Sequence, residues 1–284
     1  MPFGLKNTGS TYQRTITRMF KPQFGKNIEV YINDMVVKSK VEDEHVNDLE
    51  SIFEVLRKHR LRLNASKCSF GVSSGKFLGY MVTHQGIKVN LDQIKAMNDL
   101  QPPRNPKEVQ KLTGMTVAWN RFISRSADRC RLFFQLLYKW KGFEWNEECA
   151  RAFQQLMDYL FRPPIMSRPE EENVLFAYIT VAFHAVSLVL VRVENGIQRP
   201  IYYVSKSLHK AEVRYLPLEK AVLAVVHATR KLLHYFQAHI VVVLTQLPLQ
   251  SLLRKTYYTG RIAKCGMILG AFDIKYMPWT SIKG

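Results

Sequence analysis

The chain has 284 residues, 47% hydrophobic and 12% aromatic, with a formal net charge of +18. That length and apolar content suffice for a buried core and predict about two domains, while the absence of any run of about 18 apolar residues excludes an apolar spanning helix, and no basic stretch leads into an apolar core as a secretion signal would. The charge lies in both halves, with 26 Lys/Arg against 16 Asp/Glu up to Ile165 and 15 against 7 beyond it, which suits a polyanion partner, most simply nucleic acid. Cys68, Cys130, Cys149 and Cys265 are scattered and form no C-x-x-C pair. That spacing argues against a zinc site and suits reduced, cytosolic thiols. The eight histidines make no H-x-x-x-H or H-E-x-x-H pattern.

Taken in chain order, residues 28–38 alternate about a short polar centre, Asn33-Asp34, and predict a hairpin. A carboxylate beside an amide at a hairpin tip leaves two readings open: a plain polar turn, or half of a metal site. Val46, Leu49, Ile52, Phe53 and Leu56 recur at helical spacing. Acidic residues precede them and Arg57-Lys58-His59-Arg60 follow, matching the helix dipole, so 43–59 is expected to be a helix. A strand at 60–63, a loop at 64–67, a strand over Lys76–Val82, a turn at His84-Gln85-Gly86 and a strand over Ile87–Val89 complete the first part. Residues 91–165 predict helices. Asn105-Pro106-Lys107-Glu108 combines an N-cap, a proline at the first helical position and a capping-box glutamate. The helix it opens carries Val109, Leu112 and Val117. Asn146 caps another, with Phe153, Leu156, Met157 and Leu160 on one face, and Pro163-Pro164 ends it. Strands follow at 174–181, 185–193 and 199–205, the last two joined by the turn Glu194-Asn195-Gly196. Pro217 opens a helix through Phe236 with Val222, Val225, Ala228 and Leu232 inward, then come a strand over His239–Thr245 and helices from Pro248 and over 261–271. The whole predicts an α+β chain whose last part runs βββαβα, the order of RNase H-like domains by analogy of fold.

Several stretches, in order, resemble one family. M-P-F-G-L-K-N-T-G-S-T-Y-Q-R (1–14) is similar to a reverse-transcriptase palm segment that meets template and incoming nucleotide. Y-I-N-D (31–34) stands where that family has Y-x-D-D, and L-N-A-S-K-C-S-F (63–70) resembles the motif carrying a lysine near the nucleotide phosphates. F-L-G-Y (77–80) resembles the primer-grip hairpin, and L-T-G (112–114) with N-R-F-I (120–123) the thumb. P-I-Y-Y-V-S-K-S-L (200–208), R-Y-L-P-L-E-K (214–220) and V-V-L-T-Q-L-P-L (242–249) resemble the RNase H-like region that follows. Across essentially its full length the chain resembles the polymerase polyprotein of gypsy-type LTR retrotransposons, of the kind abundant in plants. The implied layout is the C-terminal part of a palm over 1–90, thumb and connection helices over 91–165, and a degenerate, truncated RNase H-like domain over 166–284.

The resemblance implies a magnesium-dependent RNA-directed DNA polymerase acting on an RNA/DNA template-primer. It also implies neighbouring protease and integrase domains, an active RNase H further downstream, and a cytoplasmic particle. Two-metal phosphoryl transfer needs carboxylates from adjacent strands. At Y-I-N-D the more critical one is replaced by Asn33, whose amide is a weaker, uncharged ligand, and Asp34 alone remains a metal ligand. The family's other carboxylate belongs to a motif upstream of Met1, which leaves Lys67 nothing to assist. The expectation is therefore no polymerase activity for this chain alone. In the RNase H-like part only Glu219 stands at a metal position, while the first-strand and fourth-strand aspartate positions match Phe183 and Gln246. The resemblance further implies nucleic-acid contacts by Gly4, Tyr12, Gln13, Arg14, Phe77, Gly79, Tyr80 and Arg121. Trp119, Arg121 and Phe122 mix basic and aromatic residues as base-stacking grooves do, with helix packing as the alternative. The alternatives are a non-catalytic nucleic-acid-binding or tether module, or a relic that does not fold stably.

Overall fold

Helix starts form where the sequence supplies local caps. Asn105 Oδ1 accepts the Glu108 N–H at 3.0 Å, and Glu108 Oε2 returns to accept the Arg104 N–H at 2.7 Å. Asn146 Oδ1 likewise accepts the Cys149 N–H at 2.9 Å. Each cap satisfies a first-turn donor that the helix itself cannot. The structure is a computed structural model that describes residues 6–39, 41–98, 100–138, 143–170, 172–254 and 260–279. It divides into two units, Met1–His84 and Gln85–Gly284.

The first unit runs α1 (Thr8–Met19), β1 (Ile28–Tyr31), β2 (Asp34–Val37), α2 (His45–Lys58), a 3-10 turn (Ala65–Lys67), β3 (Ser74–Phe77) and β4 (Tyr80–Thr83). β1 and β2 pair antiparallel from Ile28↔Val37 to Tyr31↔Asp34. Ile16 and Phe20 of α1, Ile28 and Val30 of β1, and Ile52 and Leu56 of α2 form one buried cluster. Period-2 and period-3.6 apolar faces thus meet in one layer against another. Two expectations fail here. Residues 60–63 are not a strand: Arg60 turns with φ +54°, and Leu61 donates back to Leu56 O, so this segment finishes α2 and tucks Leu61 against the core. The strand expected over Lys76–Val82 is two strands, because Leu78 (φ +53°) and Gly79 (φ +78°) form the positive-φ pair of a tight hairpin turn.

The second unit opens with β5 (Gly86–Val89), α3 (Leu91–Asn98), α4 (Pro106–Ala118), α5 (Ser126–Arg129), α6 (Arg131–Tyr138) and α7 (Glu147–Phe161). Val109, Leu112, Phe122, Phe133, Leu156 and Leu160 are almost wholly buried there, whereas Val117, expected inward, is 53% exposed. β5 is bridged to the segment after α7 by Ile87 N–H to Met166 O (2.8 Å) and Met166 N–H to Ile87 O (2.9 Å). Then come β6 (Leu175–Val181), β7 (Ala185–Glu194), β8 (Ile197–Ser207), α8 (Pro217–Lys231), α9 (Leu233–Ala238), β9 (Val241–Leu244), α10 (Leu249–Arg254), α11 (Arg261–Leu269) and β10 (Ile274–Met277). The sheet order is β10-β9-β6-β7-β8. β6, β7 and β8 pair antiparallel, while β9 joins β6, and β10 joins β9, in parallel. The helix expected through Phe236 breaks at Leu232, which is buried in the core, and a fifth strand, β10, extends the expected βββαβα order. Leu188 and Val204 face α8, where Val222, Val225 and Ala228 meet them in the core. By strand alternation Ser187 and Ser205 face the other way. Ser205 Oγ accepts the Ala127 N–H at 3.0 Å and lies 2.8 Å from Ser187 Oγ, which fixes α5 to that face.

Candidate functional site

The β1–β2 hairpin is closed by the pair Tyr31↔Asp34, so Ile32 and Asn33 alone make the turn. Ile32 has φ +50°, a conformation that a β-branched residue adopts only under constraint. The constraint comes from α1. Gln13 Oε1 accepts the Ile32 N–H at 2.6 Å and its Nε2 donates to Val30 O at 2.9 Å. Gln13, expected to meet template, is instead committed by both ends of its amide to holding the turn. Gln13→Ala is expected to destabilise the first unit by roughly 2 kcal/mol, since two backbone groups lose partners. Native-state hydrogen exchange should show the Ile32 amide opening first.

The Leu78-Gly79 turn of the β3–β4 hairpin comes beside this tip. Tyr31, Ile32, Asn33, Asp34, Leu78 and Gly79 line an open cleft of about 430 Å³. Asn33 and Asp34 are exposed, and Phe77 and Tyr80 flank the second turn half-buried. The structure therefore brings Asn33, Asp34 and Gly79 to one place. Lys67, exposed at the end of its 3-10 turn, does not line the cleft. Tyr12 packs against the core of the first unit, and Arg14 is exposed on α1, its Nη2 at 3.5 Å from Thr11 Oγ1. Gly4 lies outside the described residues. Magnesium requires hard oxygen ligands, with carboxylates as its protein anchors. The cleft's lining offers one carboxylate, Asp34, and one amide, Asn33. Among the described residues no three His, Cys, Asp or Glu side chains gather as a metal site would need. This donor set does not fit a two-metal centre.

A Ser-His-Asp grouping in the same unit is structural. Ser39 Oγ donates to Asp48 Oδ2 at 2.5 Å and lies 2.9 Å from His45 Nδ1, while Asn27 Nδ2 donates to Asp48 Oδ1 at 2.9 Å. Because the Ser39 O–H is donated to the carboxylate, the hydroxyl is not activated by the histidine as a nucleophile would be. The Ser39 and Asn27 hydrogen bonds hold the Asp48 carboxyl below its ordinary range and tie the end of the hairpin to α2.

In the second unit, Glu219 Oε2 accepts the Leu216 N–H at 2.9 Å and so caps α8. Phe183, matched to a strand position, lies in the loop beyond the end of β6 and is 70% exposed. Gln246 is exposed after β9. Beneath Phe183 stands a residue the sequence reading missed. Lys220, 6% exposed, donates from Nζ to Phe183 O at 3.0 Å, with Nζ 5.3 Å from the Phe183 ring centroid. Its signal in the sequence was a lysine inside the apolar run L-E-K-A-V-L-A-V-V (218–226). Arg121 and its neighbours are also corrected. Trp119 (4% exposed) and Phe122 (0%) are core residues, and the Arg121 guanidinium lies 4.8 Å from the Tyr202 ring centroid of β8. That trio joins helices to sheet instead of lining a base-stacking groove.

Known proteins share both parts. Residues 1–82 match reverse transcriptase (RNA-dependent DNA polymerase), and residues 145–243 match the RNase H-like domain found in reverse transcriptase. The chain thus carries a reverse transcriptase segment followed by an RNase H-like domain of the kind found in reverse transcriptase. The retrovirus-related Pol polyprotein from transposon 297 of Drosophila melanogaster is 32% identical over 236 residues, 83% of this chain and 22% of that polyprotein. The transposon Tf2-3 polyprotein of Schizosaccharomyces pombe is 24% identical over 241 residues, 84% of this chain and 18% of its own length. This reverse-transcriptase segment thus spans about a fifth of the relatives it matches. In fold it resembles the foamy viral protease–reverse transcriptase solved with double-stranded DNA, with a TM-score of 0.86, 18% identity, and coverage of 100% of this chain and 51% of that one. The foamy viral enzyme solved with an RNA/DNA hybrid gives 0.84 at 18% identity, covering 99% of this chain and 39% of that one. Among the described residues no helix is long and apolar enough to cross a membrane.

Proposed function

We propose that this chain is the palm, thumb and RNase H-like portion of a gypsy-type LTR-retrotransposon reverse transcriptase, binding RNA/DNA primer–template without a complete metal centre of its own. The observation that carries the reading is the cleft between the Y-I-N-D and F-L-G-Y tips, which has one carboxylate among its lining residues. Asp34 is the one carboxylate there at a family metal position, and alone it does not complete the centre that phosphoryl transfer needs. Asn33 contributes only a neutral oxygen. Gly79 and the half-buried Phe77 and Tyr80 shape the primer side, while the exposed Arg14 and Lys67 meet phosphates. The 41 Lys/Arg against 23 Asp/Glu supply the long-range attraction. The RNase H-like part acts as a connection that holds the thumb helices, because Ser205 and Tyr202 of β8 carry α5 and Arg121. By this reading its partners are the template-primer and the protease, integrase and downstream RNase H of a polyprotein, in a cytoplasmic particle. Fluorescence anisotropy with a labelled RNA/DNA primer–template tests it. Saturable binding is expected, and no binding at low salt would remove the proposal.

A further inference from the structure

We infer that Phe183 is a nucleic-acid contact, stacking an unpaired base of the bound strand, and that Lys220 is the residue that positions it. The inference rests on the primer–template reading above. Three features of the loop between β6 and β7 carry it. Phe183 is a large aromatic left 70% exposed. It is held there: the buried Lys220 ammonium bonds its carbonyl at 3.0 Å and sits 5.3 Å from its ring centroid, while the His184 ring meets its edge with centroids 4.6 Å apart. A buried ammonium is costly unless its donors are met, so the carbonyl and the ring stabilise Lys220 as much as Lys220 fixes the loop. The ring is thereby presented to solvent in one orientation, as stacking requires.

Charge favours a nucleic acid as the occupant. Residues 166–284 hold 15 Lys/Arg against 7 Asp/Glu. At the same end of α8, Arg261 lies over the Tyr215 ring at 4.2 Å, Glu219 is turned to the Leu216 N–H, and Glu212 is paired with Lys206. The acids nearest that end are thus paired within the protein, while Arg261 and Phe183 stay exposed. Exposed rings among cations are the combination by which proteins hold single strands with little sequence preference.

The test is binding of the whole chain to a primer–template with a short single-stranded template overhang. Phe183→Leu keeps an apolar side chain and removes the π face; Phe183→Trp keeps it. Phe183→Leu is expected to bind about tenfold more weakly, the loss of one base–aromatic stack, with an unchanged salt slope. Phe183→Trp is expected to retain the affinity, and its added fluorescence over the unaltered chain should be quenched on binding. Thermal unfolding of both variants should match the unaltered chain. Equal affinity of Phe183→Leu, an unquenched Trp, or a change in self-association in place of nucleic-acid affinity would each overturn the inference while leaving the primer–template reading in place. If the unaltered chain does not bind, both fall.

Discussion

Gly86→Ala is expected to destabilise the second unit by about 3 kcal/mol or more, the upper range for strain and overpacking. Gly86 has φ +136°, which L side chains rarely adopt, and a Cβ built there would lie 2.1 Å from Met166 O and 2.9 Å from Met166 C. Those are backbone atoms, so no side-chain rotation relieves the clash. The contact cannot simply open either. Ile87 and Met166 exchange both backbone hydrogen bonds at 2.8 and 2.9 Å, and the next residue, Ser167, donates to Pro200 O of β8 at 2.7 Å. Methyl insertion at Gly86 therefore strains the bridge that links β5 to the edge of the five-stranded sheet. Chemical denaturation should show a lower midpoint with little change in slope. A neutral alanine would mean that the segment around Met166 moves freely.

The second large effect is on binding. Phosphate contacts release counterions, so affinity falls steeply with salt. A footprint of about six phosphates predicts about a 10³-fold loss between roughly 50 and 200 mM salt. Lys67 and Arg14 are exposed side chains on the unit that carries the Y-I-N-D tip. Lys67→Gln should weaken binding to all sequences alike and lower the salt slope by about 1. A flat salt dependence would leave the net charge of +18 as a matter of solubility alone.

What was legible in the sequence was what local chemistry decides. The caps at Asn105 and Asn146 and the hairpin at Glu194-Asn195-Gly196 need only near neighbours. The misread segments depend on partners far along the chain. The Lys76–Val82 run reads as one strand, and only the positive φ of Leu78 and Gly79 breaks it. β10 is four residues long and stands because Ile274 to Met277 pair with Val241 to Leu244. The Y-I-N-D tip was recognisable from its flanks, but Gln13's grip on Ile32 spans 19 residues and follows no periodicity. Trp119, Arg121 and Phe122 resembled a groove because burial is a tertiary property. Phe183 stands in the sequence as an aromatic at a metal position, whereas its contact with Lys220 joins residues 37 apart and follows from the packing of α8 on the sheet.

The most direct measurement follows primer binding and primer extension in one mixture: a labelled DNA primer on an RNA template, all four deoxynucleotides, magnesium and this chain. With one carboxylate and one amide at the hairpin tip, the primer–template should be bound and the primer should stay at its starting length. Templated extension by the purified chain would contradict the incomplete-centre reading and show that the metals find ligands beyond Asp34.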